Sequence, residues 1–229
     1  MGAARQRLLV LGAGRQQLGL LRAARRRGLL VVAVDADPAA PGFRLAERRA
    51  LISCEDEPAL HRLAEAERID GVVSPANDWS VGIAARVAHR LGLPHPLDPA
   101  TASIVSSRFK QHERFAAACV PHSLWLGEEP EETVHGFSVG GDFHALLGSP
   151  PAADVAARAV AALDVREGPT CTRLRLGRRG PQVVEVAART GTNHETERCR
   201  AETGIDLNEL ALSAALGEPV ELEGLRRAA

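Results

Sequence analysis

Charge of one sign is what this 229-residue sequence lacks most clearly. Lys plus Arg total 28 against 29 for Asp plus Glu, the net charge is -1 and the pI is near 6.7. That balance argues against a nucleic-acid partner or a membrane-surface role and points to small ligands. Paired cysteines are also lacking. Cys54, Cys119, Cys171 and Cys199 lie far apart with no C-x-x-C spacing, in a chain long enough to build a core without disulfides, so they read as reduced and mostly buried thiols. No apolar run reaches the length of a membrane span; the best is Leu29 to Val34. The opening apolar run stops at once in glycines and resembles a first strand rather than a secretion signal, so a cytoplasmic location is expected. There are no repeats and no low-complexity tract. With 45% hydrophobic and 25% charged residues, the composition is that of a globular protein of one large or two small domains.

What is present is an alternation of strands and helices. Leu8 to Leu11 ends in Gly12, Ala13 and Gly14, and apolar residues then recur at helical spacing from Leu18 up to Gly28. Leu30 to Val34 predicts a second strand, followed by an irregular loop over Asp37 to Gly42. Further strands are expected at Ala50 to Ser53 and Gly71 to Ser74, with helices over Glu57 to Glu67 and Val81 to Leu91. Such a pattern implies a mostly parallel sheet covered on both faces. Asp98, Pro99 and Thr101 open another helix, and Arg108 to Ala118 forms one more, carrying the first unit to about Trp125. Leu126 to Glu132 is acidic and proline-containing, a junction. Beyond it the pattern changes to two hairpins, Val134 to Val139 with Phe143 to Leu147 and Thr170 to Leu176 with Gln182 to Ala187. A helix over Ala153 to Leu163 lies between them, and one near Leu207 to Leu216 closes the chain.

Gly12, Gly14 and Gly19, with Asp35 at the end of the next strand, approximate the fingerprint of a dinucleotide-binding turn, so an NAD(P)-binding oxidoreductase is one reading; a turn that merely closes the strand onto its helix is another. Asn77 and Asp78 follow a strand's C-terminal end, the usual ligand edge of an open parallel sheet, although Asp78 could equally cap the next helix. His194, Glu195, Glu197 and Cys199 hint at zinc, but their spacing matches no metal signature. Arg22, Arg25, Arg26 and Arg27 read as the solvated side of a helix.

The stretches GAGRQQLGLLRAARRRGLLVVAVDADPAAPGFRLAE and DGVVSPANDWSVGIAARVAHRLGLP, with the helix ending FAAACVP, resemble the domain that precedes the catalytic domain in ATP-grasp carboxylate-amine ligases. GRRGPQVVEVAARTGTNHETERCRAETGIDLNELALSAALGEPV resembles the closing part of their ATP-grasp domain. The resemblance implies an α/β protein, with a Rossmann-like parallel-sheet domain over residues 1–125 and a truncated α+β ATP-grasp remnant over 126–229. It also implies ATP and Mg2+ as cofactors, and a small carboxylate and an amine as substrates joined through an acyl phosphate. On this resemblance Glu185 is the magnesium ligand and Arg189 the catalytic arginine. Gly12, Gly14, Asn77, Asp78, Arg108 and Lys110 are the remaining binding candidates, Lys110 being the only lysine. Read as strand residues, Glu185 and Arg189 share a face.

Three departures qualify the resemblance. The partner acidic ligand one strand earlier falls on Arg173, which cannot bind a cation. Ala187 stands where an asparagine is common. The lysine-bearing strand, the glycine-rich phosphate loop and the adenine-reading strand have no counterpart between Trp125 and Val134. One wall of the nucleotide cleft would then have to come from a second copy, as a homodimer, or from a partner subunit; otherwise the chain is a non-catalytic relative that binds a metabolite or a protein.

Overall fold

A computed structural model describes residues 5–124 and 130–220. Its first sheet is fully parallel, in the order β3-β2-β1-β4, from β1 (Arg7–Leu11), β2 (Leu30–Asp35), β3 (Arg48–Leu51) and β4 (Gly71–Val73). The central strands are continuous apolar runs because both faces are covered. Leu8, Val10, Val31 and Ala33 pack against Leu20 and Leu21 of α1 (Leu18–Arg26) and Ala211 and Leu212 of α8 (Leu207–Ala215). Leu9, Leu11, Val32 and Val34 point the other way, toward Leu60 of α2 (Glu57–Glu67) and Ala84 and Val87 of α3 (Asp78–Arg90).

Helix α8 comes from the far end of the chain and completes the first sheet. It approaches so closely that a Cβ on Gly71 would lie 2.5 Å from the Ala215 carbonyl oxygen. The arginines expected to be solvated help hold it there. Arg26 pairs with Asp206 and Glu209 at 3.0 Å each, while Arg27 reaches Ser213 and Glu218.

The second sheet is antiparallel, in the order β6-β5-β7-β8, from β5 (Glu131–Val139), β6 (Asp142–Leu147), β7 (Gly168–Gly177) and β8 (Gly180–Ala187). Gly140 and Gly141, with φ of 62° and 97°, form the two-residue turn between β5 and β6, where the twist of a hairpin requires positive φ. Val134, Leu174, Val183 and Val186 pack against Ala152, Ala156, Ala159 and Val160 of α6 (Pro150–Ala162). Strand alternation therefore sends His135, Cys171, Arg173 and Glu185 to the opposite face.

Helices α4 (Pro99–Val105) and α5 (Arg108–Ala117) link the sheets, capped by the side chains of Asp98 and Ser107. Helix α5 seals the edge of β8. Buried Gln111 donates to the carbonyls of Val105 and Val186 at 2.7 and 2.8 Å and accepts from the Val186 amide at 2.8 Å, and His112 lies 3.0 Å from the Val184 carbonyl. An edge strand closed in this way offers no free ladder to another chain.

Several boundaries differ from the sequence expectation. Strand β3 lies two residues earlier, because Ser53 already turns the chain toward the Asp56 cap of α2. The loop after β2 winds into a 3-10 turn at Pro41–Leu45, where the Gly42 amide donates to the Ala13 carbonyl at 2.7 Å. Helix α3 starts at Asp78 with Asn77 as its N-cap, so Asp78 is not a cap. Strand β5 takes in Glu131 and Glu132, whose partners across the ladder are Arg175 and Leu174. The rest of the acidic junction, through Glu129, lies outside the described residues along with Trp125. No helix among the described residues is long and apolar enough to cross a membrane.

Candidate functional site

The C-terminal edge of the parallel sheet meets the polar face of the antiparallel one. Arg189, two residues past β8, donates from Nε to Asp78 Oδ1 at 2.7 Å, and Thr190 Oγ1 reaches the Pro75 carbonyl at 3.2 Å. The loop after β8 is thereby tied to the loop after β4. Burial works against the Arg189 charge, but the Asp78 carboxylate outweighs it and holds the guanidinium above its ordinary range.

One step along the sheet, Arg173 and Glu185 face each other across the ladder. Arg173 Nη2 lies 2.9 Å from Glu185 Oε1, and Arg108 at the start of α5 binds Oε2. Both oxygens of Glu185 are therefore engaged by guanidinium groups. One carboxylate held between two arginines is a poor ligand set for Mg2+, which needs several oxygen ligands. Arg189 lies outside β8 and is turned to Asp78, so the strand-face argument that would set it beside Glu185 does not hold. Of the two basic candidates in α5, only Arg108 reaches Glu185; Lys110 donates to Ser103 Oγ at 2.7 Å.

In the next row, sequence reasoning had named Glu195 but missed the two residues it faces. His135 and Cys171 stand directly opposite each other on β5 and β7. Glu195, near the start of α7 (Asn193–Thr203), turns toward them, with Oε1 3.6 Å from His135 Nε2. The His135 contact is the main reason the Glu195 carboxyl is held down to about 2. Burial, reinforced by Glu195, pushes the Cys171 thiol up to about 12, so it is no ready nucleophile. The zinc cluster suggested by sequence does not form. His194 and Glu197 are exposed, and buried Cys199 contacts Thr203. Only pairing register could have brought His135 to Cys171, since they are 36 residues apart in sequence.

Gly12, Gly14, Asp35, Asn77 and Trp79 line an open cleft of about 450 Å³ at the end of the parallel sheet. The glycine turn is already filled by its own chain: a Cβ on Gly12 would lie 2.9 Å from Gln17 Nε2. Asp35 is likewise spent on backbone, accepting from the amides of Ala13 at 2.8 Å and Asp37 at 3.0 Å. A dinucleotide ribose would have to compete for it, and the NAD(P) reading is not favoured.

Comparison with solved structures decides the fold. Phosphoribosylglycinamide synthetase from Anaerococcus prevotii superposes with a TM-score of 0.81 at 16% identity, over 94% of this chain and 76% of that one. L-amino acid ligase from Bacillus licheniformis gives 0.81 at 20% identity, over 99% and 77%. The chain has the ATP-grasp fold. Another ATP-grasp neighbour is the biotin carboxylase domain of Hydrogenobacter thermophilus 2-oxoglutarate carboxylase, solved with MgADP, ADP and bicarbonate. It matches with a TM-score of 0.74 at 11% identity, over 96% of this chain and 71% of that one. In sequence, formate-dependent phosphoribosylglycinamide formyltransferase from Solidesulfovibrio magneticus is 39% identical over 71 residues, which is 31% of this chain and 18% of that enzyme. The match thus spans less than a fifth of that relative's length. No protein-family model matches the sequence.

Just behind this site, His95 carries a pH dependence. Its Nδ1 lies 2.9 Å from the Leu97 carbonyl, and burial pushes the ring down to about 4. Above pH 6.5 the ring is neutral in both folded and unfolded chains. Between about 6.5 and 4 only the unfolded chain takes up the proton, so stability falls with pH through that window and levels off below it. His95 as a residue is only partly buried, which limits the expected loss to about 1–2 kcal/mol. Thermal melts of the protein and of His95→Asn at pH 7 and pH 4.5 should show the wild type losing more than the variant.

Proposed function

We propose that this chain is an ATP-grasp ligase-like protein that joins a small carboxylate to an amine at the expense of ATP, with its site where the two sheets meet. The observation that carries the reading is Arg108 and Arg173 held on Glu185, with the separate Arg189–Asp78 pair tying the two sheets together, set within an ATP-grasp fold. Residues 1–125 would act as the Rossmann-like unit and 126–229 as the ATP-grasp remnant.

In this reading a phosphate or carboxylate displaces the internal carboxylates from the guanidinium groups. Arg189 offers a fixed positive charge to the transferring phosphate, and its partner Asp78 sets its direction. Arg108 and Arg173 neutralise the remaining negative charge through charge-assisted hydrogen bonds. Asn77 and the glycine turn border the neighbouring cleft, which suits the acceptor. Magnesium would arrive on the nucleotide, because the residues at Glu185 do not fit it. A second copy or a partner subunit would complete the nucleotide wall.

The test is ADP formation by the purified, monodisperse chain with pairs of small carboxylic acids and amines. ADP release that requires both members of a pair supports the ligase reading. No ADP with any pair, from a folded sample that still binds a carboxylate by calorimetry, would overturn it in favour of a non-catalytic metabolite-binding protein.

A further inference from the structure

We infer that His135, Cys171 and Glu195 form a site for one divalent transition-metal ion of the zinc type, separate from any ion carried by a nucleotide. Each residue offers one ligand atom, and the three atoms lie within 4.8 Å of one another. Ligands about 2.0–2.3 Å from a tetrahedral zinc stand roughly 3.3–3.8 Å apart, so closing the site asks for side-chain shifts of about an ångström.

The scaffold fixes where the ligands point. His135 and Cys171 are directly opposed on neighbouring strands, so their side chains leave the sheet together. Glu195 belongs to the capping box of α7, and its Oε2 accepts from the Thr192 amide at 2.6 Å, which leaves Oε1 facing His135.

Two further features frame the site, in which Nε2 is the His135 nitrogen facing Glu195. His135 is only 4% exposed, yet its Nδ1 has no hydrogen-bond partner among the described residues. Whether that nitrogen carries a proton or a lone pair, it is a buried polar group left unsatisfied, which is costly. Gly191, at φ 88°, lies directly over the pair: a Cβ there would come within 2.9 Å of Glu195 Oε2 and 3.1 Å of His135 Cε1. The missing Cβ is what lets Glu195 and His135 sit this close beneath the loop.

The donor chemistry selects the metal. A thiolate and an imidazole disfavour magnesium and calcium, which prefer oxygen, whereas an S, N, O set suits zinc with one coordination position left for water or an anion. The charges also balance. Thiolate and carboxylate together neutralise a dication, and the neighbouring Arg189 and Asp78 already neutralise each other. The inference does not depend on the ligase reading, because neither Glu185 nor ATP takes part in it.

Cobalt(II) titration of the metal-free full chain tests it, since cobalt bound to a thiolate absorbs strongly in the near ultraviolet and tetrahedral cobalt absorbs in the visible. One equivalent should bind, be displaced by zinc, and behave identically in Glu185→Gln. Cys171→Ser should lose the near-ultraviolet band although Cys54, Cys119 and Cys199 remain. Glu195→Gln, which retains the thiol, should bind at least about tenfold more weakly and serves as the second variant if Cys171→Ser does not fold. A folded wild-type protein with no cobalt spectrum, or a thiolate band that survives in Cys171→Ser, would overturn the site and leave His135 and Glu195 as a side-chain contact only.

Discussion

Gln111→Leu is expected to destabilise the protein by about 2–4 kcal/mol, because it strands several buried backbone groups at once. Gln111 is 3% exposed and bonds both the Val186 amide and the Val186 carbonyl. Leucine fills nearly the same volume, so little cavity is created and the loss reports the hydrogen bonds. The affected strand carries Glu185 one residue earlier, so the arginine cluster should loosen as well. Urea denaturation gives the energy from the shift in midpoint at unchanged slope. A change below about 0.5 kcal/mol would mean that water replaces the amide readily and that α5 does not hold the edge of β8.

On the proposed ligase reading, Arg189→Met should produce the opposite signature, a large loss of ATP turnover with a small loss of stability. Asp78 is 43% exposed at its side chain, so water can solvate it once its partner is gone, and a stability cost of about 1 kcal/mol is expected. Turnover should fall about 100-fold or more, the usual result of deleting a positioned charge that faces a transferring group. Asp78→Asn should lie between the wild type and Arg189→Met. The double variant should be no worse than Arg189→Met alone, because the two residues act as a unit. Turnover within threefold of wild type in Arg189→Met would remove this arginine from the mechanism.

Much of the fold was legible in the sequence because its signals are local. The Gly12 turn, the continuous apolar runs of β1 and β2, the Asp98 cap and the Gly140-Gly141 hairpin each follow from residues a few positions apart. What escaped was long-range. Nothing in Leu207 to Leu216 says that this helix covers the first sheet, since its apolar stripe would suit any apolar face. The arginines of α1 looked solvated because their acidic partners lie about 180 residues away.

The site was legible in part for the same reason. Arg173 stood out in sequence as a residue unfit for a metal, and the structure gives it a partner in Glu185. His135 and Cys171 carried no spacing signal. Only the register of β5 against β7 brings them together, and a slip of one residue would send one of them into the α6 face.

The most direct measurement is a calorimetric titration of the folded, monodisperse chain with ATP in magnesium buffer, beside Glu185→Gln and Arg173→Ala. The account predicts saturable one-site binding that persists in Glu185→Gln, where two guanidinium groups are released for phosphate, and is weakened in Arg173→Ala. No heat at millimolar ATP from a well-folded sample would contradict it.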